Sequence, residues 1–295
     1  MNDQEKLIET QRWLIKWSSD VAEGLSGTSM LKSQQNLFYR NLITAEGNDH
    51  GFGIGLALAG LRHIAIVRPE DNIRGLVKTA IKQQLPIVFV VIGTSKPMFG
   101  FGKAIHLKSL SMQEAYDYTF LSVKIAESTL SPVIHHVCID DLTEEIEELP
   151  KDHLKSFVGS PDEIIESPTP AQVMLFGPER RRLPHYNSLD IPVQLGSSKN
   201  RRYRGLEHVA KEQYFQAHYD ELIQLALQDF AGISGRQYQV YKSTADRKTR
   251  QLIITTGGLF NQVVNGSRSL EEKDLGIAEK VIYNPHSEGN DIDLS

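Results

Sequence analysis

Apolar residues recur along the chain at two spacings, and the alternation between them outlines a fold. Leu7, Ile8, Trp13, Leu14, Ile15 and Trp17 fall at roughly helical spacing, which predicts an amphipathic helix over residues 4–18. A polar stretch containing Gly and Ser follows, Glu23 to Gln35. Residues 50–60 mix small residues with Ile54, Leu56 and Leu58. HIAIV (63–67) is a short buried strand, and Arg68-Pro69-Glu70-Asp71 ends it with a helix start. Residues 73–83 read as a helix, and LPIVFVVIG (85–93) is too apolar to have a wet face, so it is a fully buried strand. Ser111 with Glu114 three residues later has capping-box spacing and opens a helix to about Glu127. SPVIHHVCI (131–139) is the next strand.

Strand, helix, strand, helix, strand with short connections implies an α/β fold: a doubly wound, mostly parallel sheet over roughly 36–232. Strands near 63–67, 86–92 and 132–138 are expected to be parallel and adjacent or next-adjacent. Residues 142–200 are rich in Pro, Asp, Glu and Ser and read as irregular connection, with a short strand at AQVMLFG (171–177). Glu207 to Asp229 reads as one long helix with Phe215, Tyr219, Leu222, Ile223 and Leu227 on a stripe, stopping at Ala231-Gly232. YQVYKS (238–243) and RQLIITTGG (250–258) follow as strands. From Asn265 the periodicity is lost, and SEGNDIDLS is expected to be a disordered tail. The expected domains are 1–235, an α/β unit with an N-terminal helix, and 236–295, the truncated start of a second α/β domain.

Composition narrows the function. A net charge of −5 gives no electrostatic footprint for nucleic acid. The local exceptions, RRR at 180–182 and RRYR at 201–204, read as solvated rims diluted by nearby acids. Cys138 is the only cysteine, which excludes an internal disulfide, a cysteine-ligated cluster and a multi-cysteine zinc site. It suits a reducing intracellular compartment. No apolar run reaches the length of a membrane span, and the opening MNDQEKLIETQRWLIKW lacks the basic start of a secretory signal. A soluble protein of the cytoplasm or an organelle matrix is expected.

Five phrases carry a family resemblance: TAEGNDHGFGIGLALAG (44–60), SMQEAYDYTF (111–120), SPVIHHVCIDD (131–141), YRGLEHVAKEQYFQ (203–216) and ISGRQYQVY (233–241). In order and spacing they resemble the pyrimidine-binding domain of pyruvate:ferredoxin oxidoreductase and its 2-oxoacid:ferredoxin oxidoreductase relatives. The resemblance implies a thiamine diphosphate-binding fold that supplies only half of a cofactor site. In that family a glutamate hydrogen-bonds the aminopyrimidine ring and so tunes the cofactor's own acid–base relay. Carried to this chain, the role falls on Glu46 as the catalytic residue. Gly47 and Gly51 would let the backbone approach the cofactor.

The departures fall where the family binds substrate and phosphate. The chain before Glu46 has no Tyr-Pro-Ile-Thr-Pro-Ser phrase, and Arg68 to Asn72 stand where the family has Thr-Ala-Ser-Gln-Gly. The family's Phe-Asp-Gly and Arg-Thr-Ser-His-Glu phrases give way to CIDDLTEEIEEL (138–149), with Asp140, Asp141, Glu144, Glu145, Glu147 and Glu148. That run is ill suited to a 2-oxoacid carboxylate. No Gly-Asp-Gly phrase occurs to hold Mg²⁺ and diphosphate. The expectation is therefore a non-catalytic or half-site subunit that binds no thiamine diphosphate alone and acts as a scaffold in a larger assembly. The alternative is a catalytic component of a split thiamine diphosphate-dependent 2-oxoacid oxidoreductase, its partner holding the diphosphate and Mg²⁺. Either way a protein partner, or a second copy, is expected against the 46–60 helix. Each glycine there lowers helix stability by about 1 kcal/mol relative to alanine, a cost that close packing on another backbone would offset.

Other candidates are weaker. Adjacent His135 and His136 on a strand point to opposite faces, so they cannot chelate one metal and read as buried, hydrogen-bonded residues. GTSKPMFGFGK (93–103) hints at an anion-binding turn but is neither a P-loop nor a dinucleotide fingerprint. No metal ligands are expected.

Overall fold

The structure, a computed structural model, describes residues 3–22, 24–28, 42–45, 51–68, 73–93, 104–138, 145–186, 209, 213–246, 249–255, 259–268 and 275–285. Helix α1 (Asp3–Ser19) covers the predicted span. The polar stretch after it carries a strand, β1 (Gly24–Thr28), and β2 (Leu42–Ala45) follows; neither was expected. The repeat then runs α2 (Phe52–Leu58), β3 (His63–Val67), α3 (Arg74–Gln83), β4 (Val88–Ile92), β5 (Ile105–Ser109), α4 (Met112–Thr129) and β6 (Val133–Val137).

The start of α4 is set locally. The Ser111 hydroxyl accepts from the Glu114 amide at 3.2 Å. The Glu114 carboxylate accepts in turn from the Leu110 amide at 2.7 Å. Two orphan donors of the first turn are satisfied as a capping box would do it, with the return bond one residue early.

Residues 145–186 are more ordered than their composition suggests. They form α5 (Lys151–Val158), β7 (Ile164–Glu166), α6 (Pro170–Phe176) and β8 (Glu179–Arg181), with β7 and β8 antiparallel. The strand expected at 171–177 is the helix α6. Thr169 caps it by accepting from the Gln172 amide, and Pro170 occupies its first turn, where its missing N–H costs nothing. The expected helix over 207–229 is α7 (Tyr219–Ser234), preceded by a 3-10 turn, Gln216–His218. It runs through Gly232 and stops at Gly235, whose φ of 71° is the left-handed cap conformation. After it come β9 (Tyr241–Ser243), β10 (Gln251–Thr255) and α8 (Phe260–Arg268). The stretch beyond Asn265 then holds β11 (Leu275–Lys280) and β12 (Ile282–Tyr283), contrary to its lack of periodicity.

Among the described residues the main sheet has seven strands in the order β12-β5-β6-β4-β3-β1-β2. β3, β4 and β6 are adjacent and parallel, with Ile64 beside Val88 and Val88 beside Val133, as their continuous apolar runs predicted. Only the edge strand β12 runs antiparallel, on β5. β9, β10 and β11 form a separate mixed sheet of three.

The pleat sends alternate side chains into two cores. Ile64, Ile66, Val88 and Val90 face one side, packed under α1, α4, α5 and α7. Ala65, Val67, Phe89 and Val91 face the other, packed under α2 and α3. This is the three-layer, doubly wound α/β arrangement expected. α4 is buried around most of its circumference, between the sheet and α1, α5 and α7, so Asp117 and Glu127 lie inside it with their charges paired. No helix of the described residues is long and apolar enough to cross a membrane.

Candidate functional site

In an open parallel sheet, ligands settle outside the carboxyl ends of the strands where the strand order reverses. Here the order reverses at β1, with β2 on one side and β3 on the other. The site would therefore lie beyond Thr28, Ala45 and Val67. Ala45 is the last residue of β2, and Glu46 follows it in sequence. Glu46 and Gly47 lie outside the described residues, as does the glycine-rich turn 94–103. Gly51 is described: it stands at the start of α2, partly exposed, and a Cβ there would lie 3.8 Å from Leu76 of α3.

α2 distinguishes its glycines. A Cβ on Gly53 would fall 2.2 Å from the buried His63 ring, so this position is held small by the core of the chain itself. A Cβ on Gly55 would meet nothing within 4 Å. Phe52, on the same outward side, is 50% exposed, and Ala59 is exposed as well. Gly53 and Ala57 thus dock the helix, while Phe52, Gly55 and Ala59 form an open face.

On the β5–β6 side of the same edge, chemistry is enclosed. Ser109 Oγ lies 3.0 Å from His135 Nε2, and both residues are fully buried. Burial holds the His135 ring neutral, with its pKa lowered to about 3. A serine beside a neutral histidine resembles a nucleophile and its base, but neither reaches solvent, so the pair is a packed hydrogen bond. His136 points to the opposite face, as predicted. Its Nε2 meets His106 Nδ1 at 2.9 Å, the rings stacked at an interplanar angle of 4°. Burial, then Lys108, lowers His106 to about 4. His136 is lowered in the same direction, by burial first and then by His106, His135 and Lys108. One ring donates to the other, and both are neutral. Among the described residues no group of three or more His, Cys, Asp or Glu is placed to hold a metal ion.

The acidic segment after β6 is described from Glu145. Glu147 pairs with Arg236 at 3.2 Å and Glu148 with Lys16 at 2.7 Å, both on the surface. Arg236 also donates to Asp117 at 2.7 and 2.8 Å, and the Tyr238 hydroxyl donates to the same carboxylate. Lys242 reaches Glu114 at 2.6 Å, and Lys108 reaches the buried Glu279 at 2.6 Å. Arg236, Tyr238, Lys242 and Glu279 thereby fasten the segments that carry them onto α4 and β5.

The arginines at 180–182 are not the solvated rim expected of them. Arg180 is 4% exposed and gives its Nε to Gln172 and one Nη to the Glu127 carbonyl at 2.8 Å, with further bonds to the Arg181 and Arg182 carbonyls. Burial lowers its pKa to about 10. Arg182 is buried against Glu163, and Arg181 pairs with Asp162 and His185. RRYR at 201–204 lies outside the described residues. Sequence reasoning also missed Arg62, which sits 5% exposed against Glu127. Its only signal is a lone charge just before a buried strand.

No protein-family model matches this chain, and no curated protein does. Among solved structures it is similar to 2-oxoglutarate:ferredoxin oxidoreductase from Magnetococcus marinus, determined with 2-oxoglutarate, coenzyme A and succinyl-CoA bound. The identity is 12% and the TM-score 0.53, over 90% of this chain and 52% of that one. At this identity the likeness is one of fold. The chain spans about half the length of the solved chain it matches. The family resemblance read from the five phrases is thus supported as a distant structural likeness to a 2-oxoacid:ferredoxin oxidoreductase.

Proposed function

We propose that the chain is a non-catalytic or half-site subunit of a larger assembly, carrying the pyrimidine-domain fold of the 2-oxoacid:ferredoxin oxidoreductases as a scaffold. The open outward face of α2 carries this reading. Phe52, Gly55 and Ala59 present an apolar, closely approachable row that no other part of the described chain fills. Gly55→Leu is expected to leave the fold intact, since its Cβ meets nothing within 4 Å, and to abolish co-purification with the native partner. Gly53→Ala, whose Cβ would strike the His63 ring, serves as the contrast and should lower stability instead. Circular dichroism and pull-down from the native source measure the two effects. If Gly55→Leu assembles normally, the half-site reading fails.

Cofactor binding by the chain alone is not part of this function. The sequence holds no Gly-Asp-Gly phrase to cradle Mg²⁺ and diphosphate. Calorimetry of the isolated chain with cofactor and Mg²⁺ is expected to give no isotherm in the micromolar range. A clear one would overturn the half-site assignment.

One observation favours a second reading. β2 ends at Ala45 beside Thr28 on the carboxyl edge, where a ligand of such a sheet is bound, and Glu46 is the next residue in sequence. In a split 2-oxoacid oxidoreductase a partner would hold the diphosphate and Glu46 would meet the aminopyrimidine. Glu46→Gln would then abolish turnover of the purified complex without affecting its assembly.

A further inference from the structure

We infer that the α2–α3 face docks a partner protein of acidic character, with Phe52 at its apolar centre and carboxylates of the partner on Arg74 and Lys78. This rests on the half-site reading and adds the chemistry of the partner.

α2 and α3 lie side by side on one face of the sheet, sharing the core of Ala57, Val77 and Ala80. Arg74, Lys78 and Lys82 follow one another at i, i+4 spacing, so they form one row along α3. Arg74 and Lys78 are exposed, and neither makes an ion pair among the described residues. No Asp or Glu occurs in 51–68 or 73–93; the two between them, Glu70 and Asp71, lie outside the described residues. The bias extends further. Residues 51–112 hold eight Lys and Arg against two acids, whereas the rest of the chain holds 24 against 35. Arg62 and Lys108 are taken up by Glu127 and Glu279 away from this face, so the positive charge that faces outward here is the α3 row, in a chain whose net charge is −5.

A basic row alone is usually a solvated face. What sets this one apart is the row beside it, where a half-exposed Phe52 and an open Gly55 offer the apolar centre that a charged rim surrounds at an interface. A second copy meeting this face by two-fold symmetry would set the same cations against themselves. The complementary occupant is a different protein with an acidic rim, steered to the face by charge.

The test uses the complex purified with the full-length tagged chain after nuclease treatment. A carbodiimide that joins amines directly to carboxylates is added, and the linked peptides are identified by mass spectrometry. Lys78 or Lys82 is expected to link to Asp or Glu of a second protein. Arg74→Glu/Lys78→Glu is expected to lower partner recovery about tenfold or more at low salt, and wild-type recovery should fall between 50 and 500 mM NaCl, amounts chosen to span roughly threefold in screening length. Circular dichroism establishes that the variant is folded. Links only to another copy of this chain, loss of the complex on nuclease treatment, or unchanged recovery by the charge-reversed variant would each overturn the inference. If Gly55→Leu releases the partner while charge reversal does not, the half-site reading stands and the acidic partner falls. If neither does, both fall.

Discussion

Truncating Glu127 to alanine is expected to destabilise the protein by about 3–5 kcal/mol, the cost of leaving a buried charge without its counter-ion. Arg62 and Glu127 are 5% and 1% exposed, and Arg62 Nη2 meets Glu127 Oε2 at 3.0 Å in a bidentate pair. The same guanidinium donates to the Val21 carbonyl at 3.1 Å and the Gly159 carbonyl at 3.0 Å. It therefore ties the turn after α1, the start of β3, the last turn of α4 and the cap of α5. In Glu127→Ala the guanidinium keeps the Val21 and Gly159 carbonyls but loses the Glu127 carboxylate, in a site closed to bulk solvent. The double variant Arg62→Met/Glu127→Leu removes both charges, so it should cost clearly less than the sum of the single changes. Urea unfolding followed by circular dichroism gives the three values. A loss below about 1 kcal/mol for Glu127→Ala would mean that solvent reaches the pair, as for a surface bridge.

Nothing in the sequence pairs Arg62 with Glu127, because the two, 65 residues apart, meet only once the end of α4 is packed on the sheet. The same holds for Arg180, whose acceptors are the Gln172 side chain and main-chain carbonyls including that of Glu127. A run of three arginines reads as surface until the acceptors are counted. The parallel core was legible for the opposite reason. β3, β4 and β6 are buried on both faces, so their apolar runs carry no alternation to misread. β5 was missed because His106 and Lys108 interrupt its apolar positions; they are paired with His136 and Glu279, partners remote in sequence. α6 was misread because Val173, Met174, Leu175 and Phe176 outweighed a legible start signal, Thr169-Pro170.

The candidate site was legible only in part. The sequence places a small-residue helix after Glu46, but cannot tell Gly53 from Gly55. One is small because His63 packs against it within the chain, the other is open to whatever lies outside. Only the latter bears on the proposed assembly, and the distinction needs the sheet to be in place. The basic row Arg74, Lys78 and Lys82 likewise acquires meaning only when α2 and α3 prove to share one face.

Acid is expected to unfold the protein well above the range in which carboxylates usually titrate. His135 and His106 are held neutral by burial, with pKa values lowered from 6.5 to about 3 and about 4, and His136 is lowered in the same direction. The groups facing them are Lys108 on β5, Tyr118 on α4 and Tyr283 on β12; none is a carboxylate that could stabilise an imidazolium. Below pH 6.5 the unfolded chain takes up protons that the folded chain refuses. Stability is thus fully present above 6.5 and is lost as the pH falls toward 4 and 3. At pH 5 the loss is about 2 kcal/mol for each of His135 and His106, from 1.36 kcal/mol per pKa unit, and His136 adds to it in the same direction. For His135 and His106 together this is about 4 kcal/mol, a large part of an ordinary domain's stability of about 5–15 kcal/mol. Asp117 works the other way, since burial raises its carboxyl and protonation favours the folded form, but it is one group against three. Urea midpoints measured from pH 8 to 4.5 should be flat above pH 7 and fall steeply below 6.5. In His106→Gln/His136→Gln the slope should shrink to that of His135 alone. A wild-type midpoint that stays level down to pH 5 would mean that the rings are charged in the folded protein, and that the stacked pair is not the single-proton hydrogen bond its geometry describes.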